Sequence, residues 1–335
     1  MTSSSNPLPE NFETLSTHDV DLLIPALSKD PQAISSIETK LKALPTTHKL
    51  VLGDSRDLSW INDSSIGLVV TSPPYWTLKK YNECKGQLAE IQDYDEFLSE
   101  LDKVWTECYR VLIPGGRLII VVGDVCLSRR KHQRHRVMSL HADIQVHCRN
   151  LGYDNLAPIF WYKVANASYE AKGNGAGFLG KPYEPNAVLK NDVEFILMQR
   201  KPGGYRKIDN TNRLLSIISG ENYRKWFKQV WGDVQGERIK NHPAAYPEEL
   251  ATRLVRMFSF AGDIILDPFN GTATTMLVAA KWGRNSIGVE IDPTYFENSK
   301  KRLTSKLGLD LVTKHILHFE SRQVQSPSTL KPSRI

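Results

Sequence analysis

The residues with the clearest chemical meaning are Thr71-Ser72-Pro73-Pro74-Tyr75-Trp76, a turn that follows the aliphatic run Ile66 to Val70. Two consecutive prolines forbid helix and remove two backbone N–H donors. The turn is left with the Ser72 hydroxyl, the carbonyls of Ser72 and Pro73, and two aromatic rings. Acceptors beside a flat apolar face suit a planar ring that bears an NH2 group, as the amino-bearing nucleobases do. The blander account, a proline-rich turn after a core strand with its aromatics packed for structure, fits the turn equally well when it is taken alone.

A second group of residues lies far downstream. Ile264-Ile265-Leu266 reads as a strand that delivers Asp267 to a turn containing Gly271, and Ala273 to Trp282 reads as the helix after it. The next strand, Ser286 to Val289, ends at Glu290, about twenty residues beyond Asp267. An acid at that strand tip is placed to accept both hydroxyls of a ribose.

The elements that must position these groups are legible from periodicity. Lys49 to Leu52 is a strand ending in Gly53-Asp54. Apolar residues at helical spacing mark a helix from Tyr94 to Leu112, closed by Pro114-Gly115-Gly116, and Arg117 to Val122 is a strand ending in Gly123-Asp124. This β-α-β unit implies a right-handed crossover between parallel strands. Ligands of such sheets gather beyond the strands' carboxyl ends, so Asp54, Ser72 and Asp124 are expected to face one crevice. Asp124 reads either as a supporting carboxylate for Ser72 or the target amine, or as an ordinary strand-end aspartate. Further elements are a helix from Met138 to Leu151 and strands from Ala157 to Lys163 and Val193 to Arg200, with a glycine-rich loop at Lys172 to Gly177. The expected class is α/β, a doubly wound, mostly parallel seven-stranded sheet with a small recognition insertion.

The chain divides into residues 1–45, an N-terminal extension that starts disordered and then forms two short helices interrupted at Pro31; 46–200, which carries the Pro-Pro turn; 201–240, a candidate recognition region; 241–309, which carries the Gly271 turn and Glu290; and 310–335, a tail that frays beyond Leu309. Ser128 to Arg136 carries Arg129, Arg130, Lys131, Arg134 and Arg136 with no acid, and its place beside the crevice favours an arm that touches phosphates over a merely solvated loop. In the 201–240 region basic and aromatic residues interleave, Arg224, Lys225 and Trp226 among them, which suits contacts to phosphates and bases, although irregular surface structure accounts for the same composition. The 335 residues are 41% hydrophobic and carry a net charge of +6. No apolar run approaches a membrane span, the N-terminus lacks a signal-peptide pattern, and the four scattered cysteines form no metal-ligand spacing. A reduced, cytoplasmic protein without structural zinc is expected.

Thr71 to Trp76 resembles the Ser/Asp/Asn-Pro-Pro-aromatic motif of the amino-methyltransferases that modify DNA at cytosine N4 or adenine N6. Leu266-Asp267-Pro268-Phe269-Asn270-Gly271-Thr272-Ala273-Thr274-Thr275 is similar to that family's S-adenosylmethionine motif, Asp-Pro-Phe-x-Gly-Ser-Gly-Thr-Thr, with Ala273 in place of a glycine. Asn241-His242-Pro243-Ala244 resembles its His-Pro motif. With the catalytic motif first and the cofactor motif last, the order resembles the permuted β-class, and the likeness runs from about Lys49 to Leu307. It implies a permuted Rossmann-like fold and S-adenosylmethionine as cofactor. The implied cofactor residues are Asp54 (at the adenine), Thr71, His242, Pro243, Asp267, Phe269, Asn270, Gly271, Thr272 and Glu290. The implied catalytic residues are Ser72, Pro73, Pro74 and Tyr75, with Asp124 in support. A turn with one glycine suits this phosphate-free cofactor better than a dinucleotide, which wants several.

The resemblance further implies double-stranded DNA as partner and a base extruded from the duplex to stack on Tyr75, with Ser72 and the Pro73 carbonyl accepting the hydrogens of its amine. Serine at the head of the motif points to cytosine N4, in a bacterial, nucleoid-associated enzyme of a restriction-modification or related system. A homodimer and a cognate restriction endonuclease stay open as partners. Adenine N6 is the alternative target; an RNA methyltransferase and a catalytically dead nucleic-acid-binding homologue rank below it.

Overall fold

A computed structural model describes residues 16–78, 81–128, 132–163, 192–236, 246–308 and 315–322. In chain order the helices are α1 (Thr17–Leu27), α2 (Pro31–Lys42), α3 (Tyr94–Val111), α4 (Leu140–Asn150), α5 (Asn210–Leu215), α6 (Gly220–Trp226), α7 (Glu248–Phe258), α8 (Thr274–Lys281) and α9 (Pro293–Leu307). The strands are β1 (Thr47–Leu52), β2 (Ile66–Thr71), β3 (Leu112–Val122), β4 (Val125–Leu127), β5 (Arg136–Met138), β6 (Asp154–Tyr162), β7 (Val193–Arg200), β8 (Val230–Trp231), β9 (Ile264–Asp267), β10 (Asn285–Glu290) and β11 (Ile316–Ser321). Among the described residues no helix is long and apolar enough to cross a membrane.

Nine strands form one sheet in the order β11-β1-β10-β9-β2-β3-β7-β6-β8. Every pair from β11 to β3 is parallel, β7 runs antiparallel to both its neighbours, and β6 pairs parallel with β8. The inner seven are the expected methyltransferase-like sheet; β11 and β8 extend its two edges. All six residues of β2 are buried, which is why it reads as an unbroken aliphatic run. Leu68, Val70, Ile119 and Val121 point to one face, packed under α1, α2, α7 and α8. Val69, Leu118, Ile120 and Val122 point to the other, packed under α3 and α4. Helices cover both faces, so the sheet is doubly wound.

Strand order reverses at the centre. From β2 the sheet continues outward through β3, and from β9 it continues through β10 on the opposite side. The segments that carry Ser72 and Asp267 therefore meet at adjacent strand ends, the place where open α/β sheets hold ligands.

Two expectations change. Pro114-Gly115-Gly116 does not close a helix-to-strand loop; α3 passes directly into β3, and the triplet is an irregularity inside that strand where the register with β2 shifts. Gly115, at φ 77°, allows the excursion, which two backbone hydrogen bonds with Lys201 pin from outside. The segment beyond Leu309 does not simply fray: Ile316–Ser321 pairs in register with β1, helped by a 2.6 Å Lys49–Glu320 ion pair. The two short N-terminal helices divide at Pro31, which opens α2 one residue after the Asp30 cap, where a missing N–H costs nothing.

Residues 201–236 are built into the body. Leu214, Leu215, Ile217, Trp226, Trp231 and Val234 are buried, all but Trp226 in the core under the α1/α2 face. Gly220 N–H donates to the Ser28 carbonyl at 2.7 Å, and Arg213 pairs with Asp21, so this region clasps the N-terminal helices to the sheet.

One buried polar contact at the sheet's edge makes stability depend on pH. His48 on β1 is 1% exposed; its ring nitrogens meet Thr46 Oγ1 at 2.8 Å and Ser286 Oγ at 2.7 Å. Burial, then the neighbouring His315, push its pKa down to about 3. Below the ordinary value of about 6.5 the unfolded chain takes up a proton that the folded chain refuses. Stability supplied above pH 6.5 is thus lost as pH falls towards 3, by about 1.4 kcal/mol per pH unit. Urea unfolding between pH 7 and pH 4 should show this slope, and His48→Gln should flatten it by about that amount.

Candidate active site

The two central strands are tied by one carboxylate. Asp267, at the end of β9, is 2% exposed and accepts four hydrogen bonds. They come from Thr71 Oγ1 at 2.7 Å, Thr275 Oγ1 at 2.5 Å, the Phe269 N–H at 3.1 Å and Tyr246 Oη at 3.3 Å. Burial raises its pKa, and these donors pull the other way. Thr71 and Asp267, both expected to touch the cofactor, lie beneath the cleft and hold its floor together instead.

Above that floor a cleft opens between the ends of β2, β9 and β10. Its walls include Asp54, Ser72, Pro74, Phe269, Asn270, Gly271, Thr272 and Glu290 from the expected set, so the sequence motifs do converge. Glu290 Oε2 accepts from the Gly271 N–H at 2.8 Å, and Oε1 from the Asp292 N–H at 3.0 Å. Burial outweighs these bonds and pushes its pKa up to about 7. Asn270 is 4% exposed, and neither its Oδ1 nor its Nδ2 has a hydrogen-bond partner among the described residues. Buried amides are rarely left so, and a wall of the cleft is where a ligand could satisfy one. Phe269 packs edge-on against Trp105 at 6.1 Å. Thr272 anchors the loop through its carbonyl, which accepts from Arg302 at 2.6 Å.

Ala273 explains its departure from the glycine of the resembling motif. It holds a left-handed conformation, φ 61°, as the residue capping α8, where glycine is the usual occupant. Its methyl group is fully buried in a cluster with Met276 and Leu50, which offsets part of the backbone cost. Asp54 lines the cleft, but Arg56 claims its carboxylate at 2.6 Å and also pairs with Glu100.

At the catalytic turn Ser72 is half-buried on the cleft wall, while Pro73 and Pro74 are buried. Tyr75, expected to stack on the base, has its hydroxyl engaged. Its hydroxyl accepts from Ser72 Oγ at 3.3 Å and faces Glu194 Oε2 at 3.2 Å and the Val121 carbonyl at 3.3 Å. Glu194 in turn pairs with Lys163. Sequence reasoning passed over this pair; the one signal was an acid in the otherwise apolar run Val193 to Leu197. Asp124 does not support Ser72 in this arrangement: its carboxylate binds the His141 ring at 2.7 Å, and that ring stacks flat on Phe195 at 3.6 Å. Tyr246 was also missed, since no motif marks it; its hydroxyl meets Asp267 and Thr275.

The nucleic-acid candidates divide. Arg134 and Arg136 are exposed on the β4–β5 hairpin, which leaves the end of β3 beside the cleft. Arg129, Arg130, Lys131, His242, Pro243 and the loop from Lys172 to Gly177 lie outside the described residues. Arg224 and Lys225 are exposed, with Lys225 3.4 Å from Asp233. Trp226 is no contact residue. It is 4% exposed, with Arg256 over its ring at 5.6 Å, and its carbonyl accepts from Trp231.

Comparison with known proteins accounts for this geometry. A family model described as DNA methylase, of the N6/N4 methyltransferases, matches residues 66–301. The type II methyltransferase M.MjaI of Methanocaldococcus jannaschii is 36% identical over 297 residues, covering 79% of this chain and 93% of its own. The DNA adenine methyltransferase YhdJ of Escherichia coli K12 is 28% identical over 267 residues, covering 76% and 82%. A Thermus thermophilus protein classed as a DNA modification methylase, solved in complex with S-adenosyl-L-methionine, is 46% identical with a TM-score of 0.67, covering 83% of this chain and all of its own. The chain belongs to the N6/N4 DNA methylase family.

Proposed function

We propose that the protein transfers a methyl group from S-adenosylmethionine to the exocyclic N4 amine of a cytosine flipped out of double-stranded DNA. Family membership supports the coarser statement, a DNA methyltransferase of the N4/N6 type that uses this cofactor. The observation that carries the finer one is Ser72, a hydroxyl at the head of the Pro-Pro turn, on the wall of the same cleft as Glu290. A serine in that place resembles the cytosine-N4 members. Adenine N6 is the second reading, favoured by the E. coli relative.

The cleft suits the cofactor. The Glu290 carboxylate would receive the ribose hydroxyls, the Asn270 amide would gain the partner it lacks, and Phe269 offers an apolar face. When bound, the sulfonium supplies the methyl group. The remaining work belongs to the chain. An exocyclic amine is a weak nucleophile because its lone pair is shared with the ring. Ser72 Oγ and the Pro73 carbonyl would accept its hydrogens and turn the lone pair towards the methyl donor, and such orientation supplies much of the rate. Arg134 and Arg136, with the basic residues before them in the chain, would neutralise DNA phosphates near the extruded base. The relatives' class also suggests a cognate restriction endonuclease.

Four measurements test the reading. Ser72→Ala should lower turnover by about two orders of magnitude or more, within the range of lost transition-state hydrogen bonds, with calorimetric cofactor affinity unchanged. In product DNA from the wild type, nucleoside mass spectrometry should find N4-methylcytosine; N6-methyladenine alone would favour the second reading. The ribose needs an ionised Glu290, whose pKa in the free protein is about 7. A proton therefore competes with the cofactor below pH 7. Affinity should fall about tenfold per pH unit below that point and level off above it, and Glu290→Gln should bind weakly with no such dependence. Finally, replacing Arg134 and Arg136 by alanine should weaken binding to all DNA sequences and reduce the slope of log K against log salt by about 1.8.

A further inference from the structure

Methyl transfer as described leaves idle a chain of side chains that leads away from Ser72. Ser72 Oγ donates to Tyr75 Oη at 3.3 Å, Tyr75 Oη faces Glu194 Oε2 at 3.2 Å, and the other oxygen of Glu194 pairs with Lys163 Nζ. Lys163 itself lies 4.6 Å over the Trp161 ring. Glu194 and Lys163 side chains are only 16% and 22% exposed. A surface ion pair has little reason to sit on two strands at the rim of an active cleft, and this one is joined to the cleft by a phenol.

The polarity of the chain is set by its far end. A carboxylate held as the partner of a lysine can only accept, so the Tyr75 proton is drawn towards Glu194. Val121's carbonyl, at 3.3 Å, also only accepts and reinforces the same direction. Burial first, then the charge of Glu194, push the Tyr75 phenol well above its ordinary pKa, so the ring keeps its proton. Tyr75 oxygen is left to accept from Ser72. The Ser72 proton then points away from the cleft, and both its lone pairs are available on the cleft side.

We propose that Glu194 is a positioning residue for methyl transfer: acting through Tyr75, it holds Ser72 as an acceptor for the target amine and provides the outlet for the amine's surplus proton. This rests on the reading of Ser72 as the residue that receives the amine. Once the amine nitrogen has formed its bond to the methyl carbon, it carries one proton too many. That proton passes to Ser72 Oγ, the Ser72 proton to Tyr75 Oη, and the Tyr75 proton to Glu194. The serine and tyrosine end as they began, the product amine is neutral, and the protonated Glu194 returns its proton to solvent at the rim. No oxidant or further reactant enters.

Backbone geometry supports the assignment. A side-chain carbon added at Gly123 would come within 3.3 Å of both Glu194 and Tyr75, so the residue between β3 and Asp124 is the one that leaves room for them to meet.

The test is a double-mutant cycle on the full chain, read by single-turnover methylation of a DNA that the wild type modifies. Glu194→Gln and Tyr75→Phe should each slow methyl transfer about tenfold, while DNA affinity, calorimetric cofactor affinity and melting temperature stay at wild-type values. The double variant should be no slower than either single one, because both cut the same chain. Glu194→Asp should recover part of the rate. Independent, multiplying losses, or a Glu194→Gln enzyme at the wild-type rate, would overturn the proposal. If Glu194→Gln melts early, Tyr75→Phe, which leaves the Glu194–Lys163 pair in place, decides it: a wild-type rate there overturns it as well. Ser72→Ala run in parallel separates the two ideas, since full activity in that variant would remove the reading of Ser72 itself.

Discussion

The architecture hangs on the Asp267 carboxylate. Thr71 and Asp267 are separated by 196 positions, yet a 2.7 Å hydrogen bond joins them at the centre of the sheet. A buried carboxylate is tolerated only when its lone pairs are taken up, and Asp267 is met by four donors from three places in the chain. Each donor fixes something the site needs. Thr71 sets the end of the catalytic strand one residue before Ser72, the Phe269 N–H sets the entry of the cofactor turn, and Thr275 sets the first turn of α8. Tyr246 brings in the segment ahead of α7. A substitution at Asp267 would leave these donors unpaired in the core and loosen both motifs together, although the carboxylate itself never reaches the cleft.

Permuted order becomes intelligible from the same contact. The cleft requires β2 and β9 side by side; it does not require either to come first. Here the chain enters through β1 near one edge of the sheet, crosses to β2, builds β3, then β6 and, between them, β7, and returns to β9. The seam between β2 and β9 is parallel but short, with two paired positions. Side-chain contacts such as Thr71–Asp267 therefore matter more to that seam than its ladder does.

Legibility in the sequence followed how local each feature was. Strand–turn–helix units were readable because their residues are neighbours: aliphatic runs marked β2, β7 and β9, and proline with acids marked the start of α7. The convergence of Ser72, Asn270 and Glu290 was readable because strand-end positions in a parallel sheet share one rim. What failed depended on distant partners. Asp267 looks like a ligand residue until Thr71 and Tyr246 are seen to occupy it. Trp226 sits among lysines and arginines in the chain, and only the packing of α6 against Arg256 shows that it faces inward. Composition described a basic-aromatic surface, whereas the fold used much of that segment as core.

A single strand reversal supplies what the parallel sheet cannot. Parallel strands present only their carboxyl ends to the rim, so Asp54, Ser72, Asp124, Asp267 and Glu290 all arrive from strand ends. Because β7 runs antiparallel to β3, its first residues stand at that rim instead, and the pairing of Val122 with Phe195 brings Glu194 beside Gly123. The next reversal returns β6 to the same edge, with Trp161 opposite Glu194 and Lys163 following it. An acid and a base that are 31 positions apart thus become neighbours behind Tyr75. The antiparallel edge is what places an acid and a lysine together behind the Pro-Pro turn.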